Sequence, residues 1–367
     1  MKRTSYRGAL AAALTLGFAA PLAACGGGDG GGDGEGSASR EVTLVTHQSF
    51  EVSEDVLDEF TRRTGYRVNV LRGGDAGVVV NQAVLSRGNP QGDVLFGVDN
   101  TLLSRALDEE VFEPYRAEGL DRVPEEYQLD AGEHRVTPVD TGDICVNYDR
   151  AYFAEHGLEP PQTLDDLADP AYRDLLVVQN PATSSPGLGF LLATVAEYGE
   201  DGWQDYWRDL AGNGVEVTEG WDQAYNERFS GAAGGANGGD RPLVVSYASS
   251  PPSEVIFGGQ PESEWPEQAP TGVATGTCFR QIEFAGLLAG AENPEGGRAL
   301  IDFLLSEEFQ ADVPLSMFVS PVREDTPLPE AFTRYGERVE EPLTVSPEDI
   351  ASHRDEWIDA WTSLVLR

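Results

Sequence analysis

Between residues 41 and 107 the chain alternates short apolar runs with stretches of helical period, and this alternation limits its fold more than any other feature. Residues 41–46, 66–71 and 93–96 read as strands. Residues 52–63, 78–87 and 100–107 read as helices, with Val56, Leu57 and Phe60 on one face of the first. Strand and helix following each other at this pace predict an α/β fold, a mixed and mostly parallel sheet with helices on both faces. The theme resumes later. Residues 141–148, 174–178, 243–246 and 277–284 read as strands, and 188–198, 203–210, 220–229, 294–305 and 346–366 as helices. No internal repeat is evident.

The folded part starts late. Lys2, Arg3 and Arg7 precede an apolar run and then Leu22-Ala-Ala-Cys25. A basic start, a short apolar stretch and small residues before a cut site mark residues 1–24 as an export signal. The run is too short for a comfortable membrane span. Its ending resembles the bacterial lipobox, which implies lipidation of Cys25 and an anchor in the cell membrane. Residues 26–39 are almost entirely Gly, Asp, Glu and Ser. Such a segment buries no apolar surface, so residues 25–39 are expected to form a lipid anchor and a flexible tether reaching roughly 20 Å.

What remains is long enough for two lobes. Lobe 1 is expected over residues 40–140, lobe 2 over 141–276, and a return to lobe 1 with C-terminal helices over 277–367. The strands at 141–148 and 277–284 would then cross a hinge, and each carries a cysteine. Cys145 and Cys278, the pair left after Cys25, are candidates for a disulfide, with two buried free thiols as the alternative.

The net charge is −38, and the basic signal segment leaves the exported part more negative still. Nucleic acid is therefore excluded as a partner, because a phosphate backbone needs a basic face. An acidic field favours cationic ligands. His47, His134, His156 and His353 are scattered and no Cys-x-x-Cys pair occurs, so no metal site is expected. Neither Gly-x-Ser-x-Gly nor a Walker loop is present, and no catalytic residues or cofactor are expected.

Four loops carry polar and aromatic residues where strands give way to helices. In Gly73-Gly-Asp-Ala-Gly77, Asp75 is either an ordinary helix cap or a carboxylate aimed at a ligand. In residues 180–189, Ser184 and Ser185 precede Pro186 at a helix start. They can cap that helix or cradle a hydroxyl or phosphate oxygen. Trp221 and Tyr225 lie one turn apart in residues 218–225. Tyr247 to Pro251 follow a buried strand directly, and Phe318 offers another aromatic wall.

With these loops in view, the chain resembles the thiamine-binding proteins of bacterial ABC importers. The resemblance runs over most of residues 41–366. It rests on residues 96–103, Thr-Ser-Ser-Pro-Gly-Leu-Gly (183–189), Thr-Glu-Gly-Trp-Asp-Gln-Ala-Tyr (218–225), Val-Ser-Tyr-Ala-Ser-Ser-Pro (245–251) and a terminal helix with Trp357 and Trp361. It implies a two-lobed type II periplasmic-binding-protein fold with a hinge of two crossing strands. It also implies a monomer that binds thiamine or its phosphates and hands the ligand to an importer permease. Carried over by position, the ligand contacts fall on Asp75, Ala76, Gly77, Ser184, Ser185, Trp221, Tyr247, Ala248, Ser249, Ser250 and Pro251. Trp221 and Tyr247 would stack on the flat rings, and a cation over an aromatic face gains about 0.5–2 kcal/mol. The chain departs from that family pattern where Ala76 splits an Asp-Gly pair, where His47 replaces a Tyr and where Phe318 replaces a Trp. These departures favour free thiamine over its diphosphate. The rival readings are another small organic cation or ferric iron on the same fold, and a lipid-anchored hydrolase.

Overall fold

The structure is a computed structural model that describes residues 40–233 and 238–366. The expected signal segment, the lipidated Cys25 and the tether lie outside the described residues. Among the described residues, ten strands join in one sheet. They are β1 (Glu41–Thr46), β2 (Arg67–Arg72), β3 (Val94–Asp99), β4 (Phe112–Glu113), β5 (Thr137–Asp149), β6 (Leu176–Gln179), β7 (Glu216–Thr218), β8 (Leu243–Tyr247), β9 (Thr271–Leu288) and β10 (Ser320–Pro321). Their order is β2-β1-β3-β9-β5-β8-β6-β7, with β4 on β9 and β10 on β5.

The parallel pairing that alternation predicts holds on both flanks. β1 pairs in parallel with β2 and β3, and β6 with β7 and β8. The centre is antiparallel, because β5 and β9 pass between the flanks and pair antiparallel with each other, with β3 and with β8. The expected strands at 141–148 and 277–284 lie inside these two longer strands. Both run through apolar surroundings on either face, so nothing ends them early.

Their pairing is interrupted once. Ile144 faces Phe279 and Val146 faces Ala274, so residues 275–278 bulge opposite Cys145. The backbone groups freed there find partners. Thr277 Oγ1 accepts from the Val146 N–H (2.9 Å) and donates to the Ala274 carbonyl (2.7 Å). The Gly276 N–H donates to the Gln162 carbonyl (3.1 Å). A disulfide between the buried Cys145 and Cys278 closes the bulge, with Cα atoms 4.2 Å apart.

Two helical expectations change. The helices read at 188–198 and 203–210 merge into Ser185–Gly212, broken only at Gly199, whose φ of 66° and ψ of 177° leave the helical region. The helix read at 220–229 is a widened π turn, Gln223–Arg228. There the Phe229 N–H reaches back five residues to the Ala224 carbonyl (3.0 Å), and Tyr225 and Phe229 turn into an apolar cluster with Val177 and Val244.

The last helix, Pro347–Val365, starts at a Ser346 cap and ends its fold on Ser185–Gly212. Trp361 meets Trp207 edge to face at 5.4 Å, and Trp357 Nε1 donates to Glu200. Each indole so buried removes roughly 200 Å² from water, worth on the order of 5 kcal/mol before entropy is counted. The C-terminus is thereby held on the part of the chain between β5 and β9. No helix among the described residues is long and apolar enough to cross a membrane.

Candidate functional site

A cavity of about 610 Å³ opens where the parallel strands end. His47 follows β1, Asp75 follows β2, Asp99 ends β3, Ser185 follows β6, Trp221 follows β7 and Tyr247 ends β8. The loops after the strands of both flanks thus converge on one space. Gln281 and Glu283, from the middle of β9, face it from below.

Asp75 ties the loops together. Its Oδ1 caps the helix Ala76–Leu85 by accepting from the Ala76 N–H (2.7 Å). Its Oδ2 accepts from the Trp221 N–H (2.8 Å) and the Ser184 hydroxyl (3.2 Å). The approach is close enough that a Cβ on Gly77 would stand 2.7 Å from the Thr183 carbonyl oxygen. Cap and cavity wall are one residue here, and both carboxylate oxygens are engaged within the protein.

The Ser184-Ser185 helix start is likewise engaged. The Ser185 hydroxyl donates to Asp99 Oδ2, and Gln281 Nε2 donates to both Asp99 Oδ2 (2.7 Å) and Ser185 Oγ (2.8 Å). Asp99 Oδ1 takes the Thr101 N–H (3.0 Å), the Thr101 hydroxyl (2.6 Å) and the Leu102 N–H (3.2 Å). Burial still outweighs these hydrogen bonds and pushes the Asp99 pKa up. The expected oxygen cradle therefore already holds two internal carboxylates, Asp75 and Asp99. A phosphate would meet both.

The opposite wall is aromatic. Trp221 stacks on Tyr225 with centroids 4.9 Å apart and planes 16° from parallel, and its Nε1 donates to Ser246 Oγ (2.9 Å). The Tyr225 hydroxyl donates to Glu254 (2.6 Å), which burial pushes up in pKa. The Tyr247 ring lies over Gly142, where a Cβ would stand 2.8 Å from its Cδ1. Phe318 sits at φ 56°, a strained setting for an aromatic residue. The Ser249 hydroxyl holds its carbonyl (2.7 Å), and its ring stacks on Phe332 beside Phe257.

Beside the carboxylates stands one imidazole. His47 Nε2 lies 3.2 Å from Glu283 Oε1, an ion-pair distance whose alignment falls short of a full hydrogen bond. Burial works to lower the His47 pKa, but Glu283, with Asp75 and Asp99 behind it, raises it on balance. Asp140 opposes Glu283 in the β5–β9 register, and burial followed by repulsion from Glu283 pushes its pKa well up. Among the described residues that line the cavity, none is Lys or Arg. No group of three or more His, Cys, Asp or Glu among the described residues is placed to hold a metal ion.

The residues expected at the site divide in two. Asp75, Ala76, Ser185, Trp221, Tyr225, Tyr247, Ser250 and Phe318 line the cavity. Gly77, Ser184, Ala248, Ser249 and Pro251 do not. Gly77 packs on residue 183, and the buried Ser184 turns its hydroxyl to Asp75. The Ala248 N–H donates to the Asp143 carbonyl (2.9 Å), Ser249 holds Phe318, and Pro251 begins the helix Pro251–Phe257. The sequence reading missed Glu283, Asp99, Gln281 and Glu254. The available signal was a carboxylate inside an apolar strand, as in Gln281-Ile-Glu283-Phe and Val98-Asp99.

Residues 89–337 match the family described as bacterial extracellular solute-binding proteins. The thiamine-binding periplasmic protein of Escherichia coli strain K12 is 30% identical over 293 residues, covering 79% of this chain and 81% of that one. The thiamine-binding periplasmic protein of Brucella melitensis is 29% identical over 349 residues, covering 90% and 93%. A solved periplasmic thiamin binding protein superposes with a TM-score of 0.73 at 26% identity, over 89% of this chain and 96% of its own. The fold is that of the type II periplasmic binding proteins.

Proposed function

This chain belongs to the bacterial extracellular solute-binding protein family, and from that membership we propose that it captures thiamine in the cavity and delivers it to an ABC importer. One observation carries the choice of ligand. A Trp221–Tyr225 stack stands in the same cavity as Glu283 and Glu254, with no Lys or Arg lining it. A flat, positively charged, hydroxyl-bearing molecule matches such a wall. Its ring gains from the indole face, and its charge gains from the carboxylates.

The same arrangement favours free thiamine over its phosphates, because Asp75 and Asp99 occupy the helix start where a phosphate would dock. In this reading the chain is a binder and not an enzyme, works as a monomer and needs no cofactor. Residues 40–140 and the return of the chain after β9 form one lobe and 141–276 the other, hinged on β5 and β9, with the last helix laid on Ser185–Gly212 of the second lobe. Cys25 carries lipid, and residues 26–39 give the lobes slack to close and still dock beside the membrane. Metabolic labelling with a palmitate analogue tests the anchor: Cys25→Ser is expected to lose the label.

A thermal-shift panel tests the ligand, since whatever binds only the folded state raises its melting temperature. Thiamine is expected to give the largest shift, its monophosphate and diphosphate less, and ferric citrate or spermidine none. A larger shift with iron or the polyamine would transfer the site to that ligand.

A further inference from the structure

We propose that the His47–Glu283–Asp140 cluster is the subsite that receives the ligand's positive charge, and that the incoming cation replaces a proton held there. The inference rests on the reading of the cavity as a site for a cation such as thiamine. It names where the charge goes and what leaves.

The geometry is specific. His47 and Glu283 both line the cavity, with Nε2 and Oε1 3.2 Å apart. The imidazole has room only because residue 97 is a glycine at φ 108°: a Cβ there would stand 2.6 Å from His47 Cδ2 and 3.4 Å from Glu283 Oε1. Behind Glu283, across the β5–β9 register, lies the buried Asp140, whose Oδ2 has no hydrogen-bond partner. Glu283 and His47 thus share the pocket wall, Asp140 is buried behind it, and no Arg or Lys lines the cavity.

Every element packed on His47 brings negative or neutral groups. Asp99 comes from β3, Asp75 from the cap of Ala76–Leu85 and Glu283 from β9, with Asp140 of β5 opposite Glu283 in the register. Tyr247 comes from β8. Glu51, on the same loop as His47, is paired with Arg72 at 3.3 Å. In the empty wall the His47 imidazole, 3.2 Å from Glu283, is the group that supplies a balancing proton, while burial and repulsion from Glu283 favour the neutral form of Asp140. When a fixed cation arrives beside Glu283, the His47 proton becomes the redundant positive charge. It leaves to solvent, the imidazole stays neutral, and the total charge of the wall with its ligand is unchanged. Binding then releases up to one proton for each cation bound.

The sign of the linkage follows. A cation that displaces a proton binds more tightly as pH rises through the titration of His47 in the empty site, with a limiting slope of about tenfold per pH unit. An anion held by protonated His47 would show the opposite slope.

The test is calorimetric titration of the mature protein with thiamine at pH 6, 7 and 8, in phosphate and in Tris. These two buffers differ widely in ionisation enthalpy. The expected result is an affinity that rises with pH and a buffer-dependent heat that reports proton release. His47→Gln is expected to flatten the pH dependence and remove the buffer dependence, while Glu283→Gln weakens binding at every pH. Heats equal in both buffers for the wild-type protein, or an affinity that grows as pH falls, would overturn the proposal even if no variant folds. No heat at any pH would instead remove the thiamine reading itself.

Discussion

The carboxylate of Asp75 accepts the backbone N–H of Trp221 at 2.8 Å, joining the loop after β2 to the loop after β7 across 146 residues of sequence. One oxygen caps a helix while the other fixes the loop that presents the indole to the cavity. Fold and site therefore share a single side chain.

Asp75→Ala is expected to affect both. Losing an N-cap costs about 1 kcal/mol, and leaving the Trp221 N–H without its acceptor adds a comparable amount. Urea unfolding should show a loss of roughly 2 kcal/mol, together with weaker thiamine binding. Unchanged stability would mean that the clasp is dispensable.

Trp221→Ala should weaken thiamine binding tenfold or more, the loss expected for a desolvated contact between a cation and an aromatic face. Trp221→Phe keeps a ring but not the donor to Ser246, and should lose less. Equal affinities for all three proteins in calorimetry would remove Trp221 from the site.

Gly142→Ala separates binding from folding. The new Cβ would stand 2.8 Å from Tyr247 Cδ1, so the ring that lines the cavity must shift to admit it. Thiamine affinity should fall severalfold with little change in unfolding midpoint. Full affinity would show that the Tyr247 ring is not a wall of the site.

How much of this was legible in the sequence depends on the kind of contact. The strands of the two flanks, the position of the site at strand ends, and the residues Trp221, Tyr247 and Phe318 all follow from local pattern and loop chemistry. The pairing of Asp75 with Trp221, or of Asp99 with Ser185, does not, because it depends on how distant loops converge. Ser184 shows the limit well: its hydroxyl precedes a proline at a helix start, as a ligand contact would, yet it turns inward to a carboxylate from the other flank. The π turn at Gln223–Arg228 was similarly hidden, since its apolar spacing suits an α-helix and only tertiary packing of Tyr225 and Phe229 widens it.

Reduction of the Cys145–Cys278 disulfide should destabilise the protein by roughly 2–5 kcal/mol, because the bond closes a loop spanning 133 positions in the unfolded chain. Both sulfurs are buried, so the folded protein should resist mild reductant, and the loss should appear once unfolding exposes them. Identical urea midpoints with and without strong reductant would contradict this.

Stability should rise as pH falls from 8 toward mildly acidic values. Burial raises the folded-state pKa of Asp99, Asp140 and Glu254, so the folded protein holds protons that the unfolded chain has released. His47, also raised, acts in the same direction. The stability these groups contribute is complete below their unfolded pKa values, from roughly pH 4 for the carboxyls, and is lost as pH rises through the folded ones. A melting temperature higher at pH 8 than at pH 5.5 would reverse the sign.

Occupation of the cavity at the strand ends by thiamine is read out by calorimetric titration of the mature protein at neutral pH. Saturable binding of one thiamine per chain is expected, tighter than that of the monophosphate or the diphosphate. Absence of heat with all three ligands, in protein shown to be folded, would contradict it.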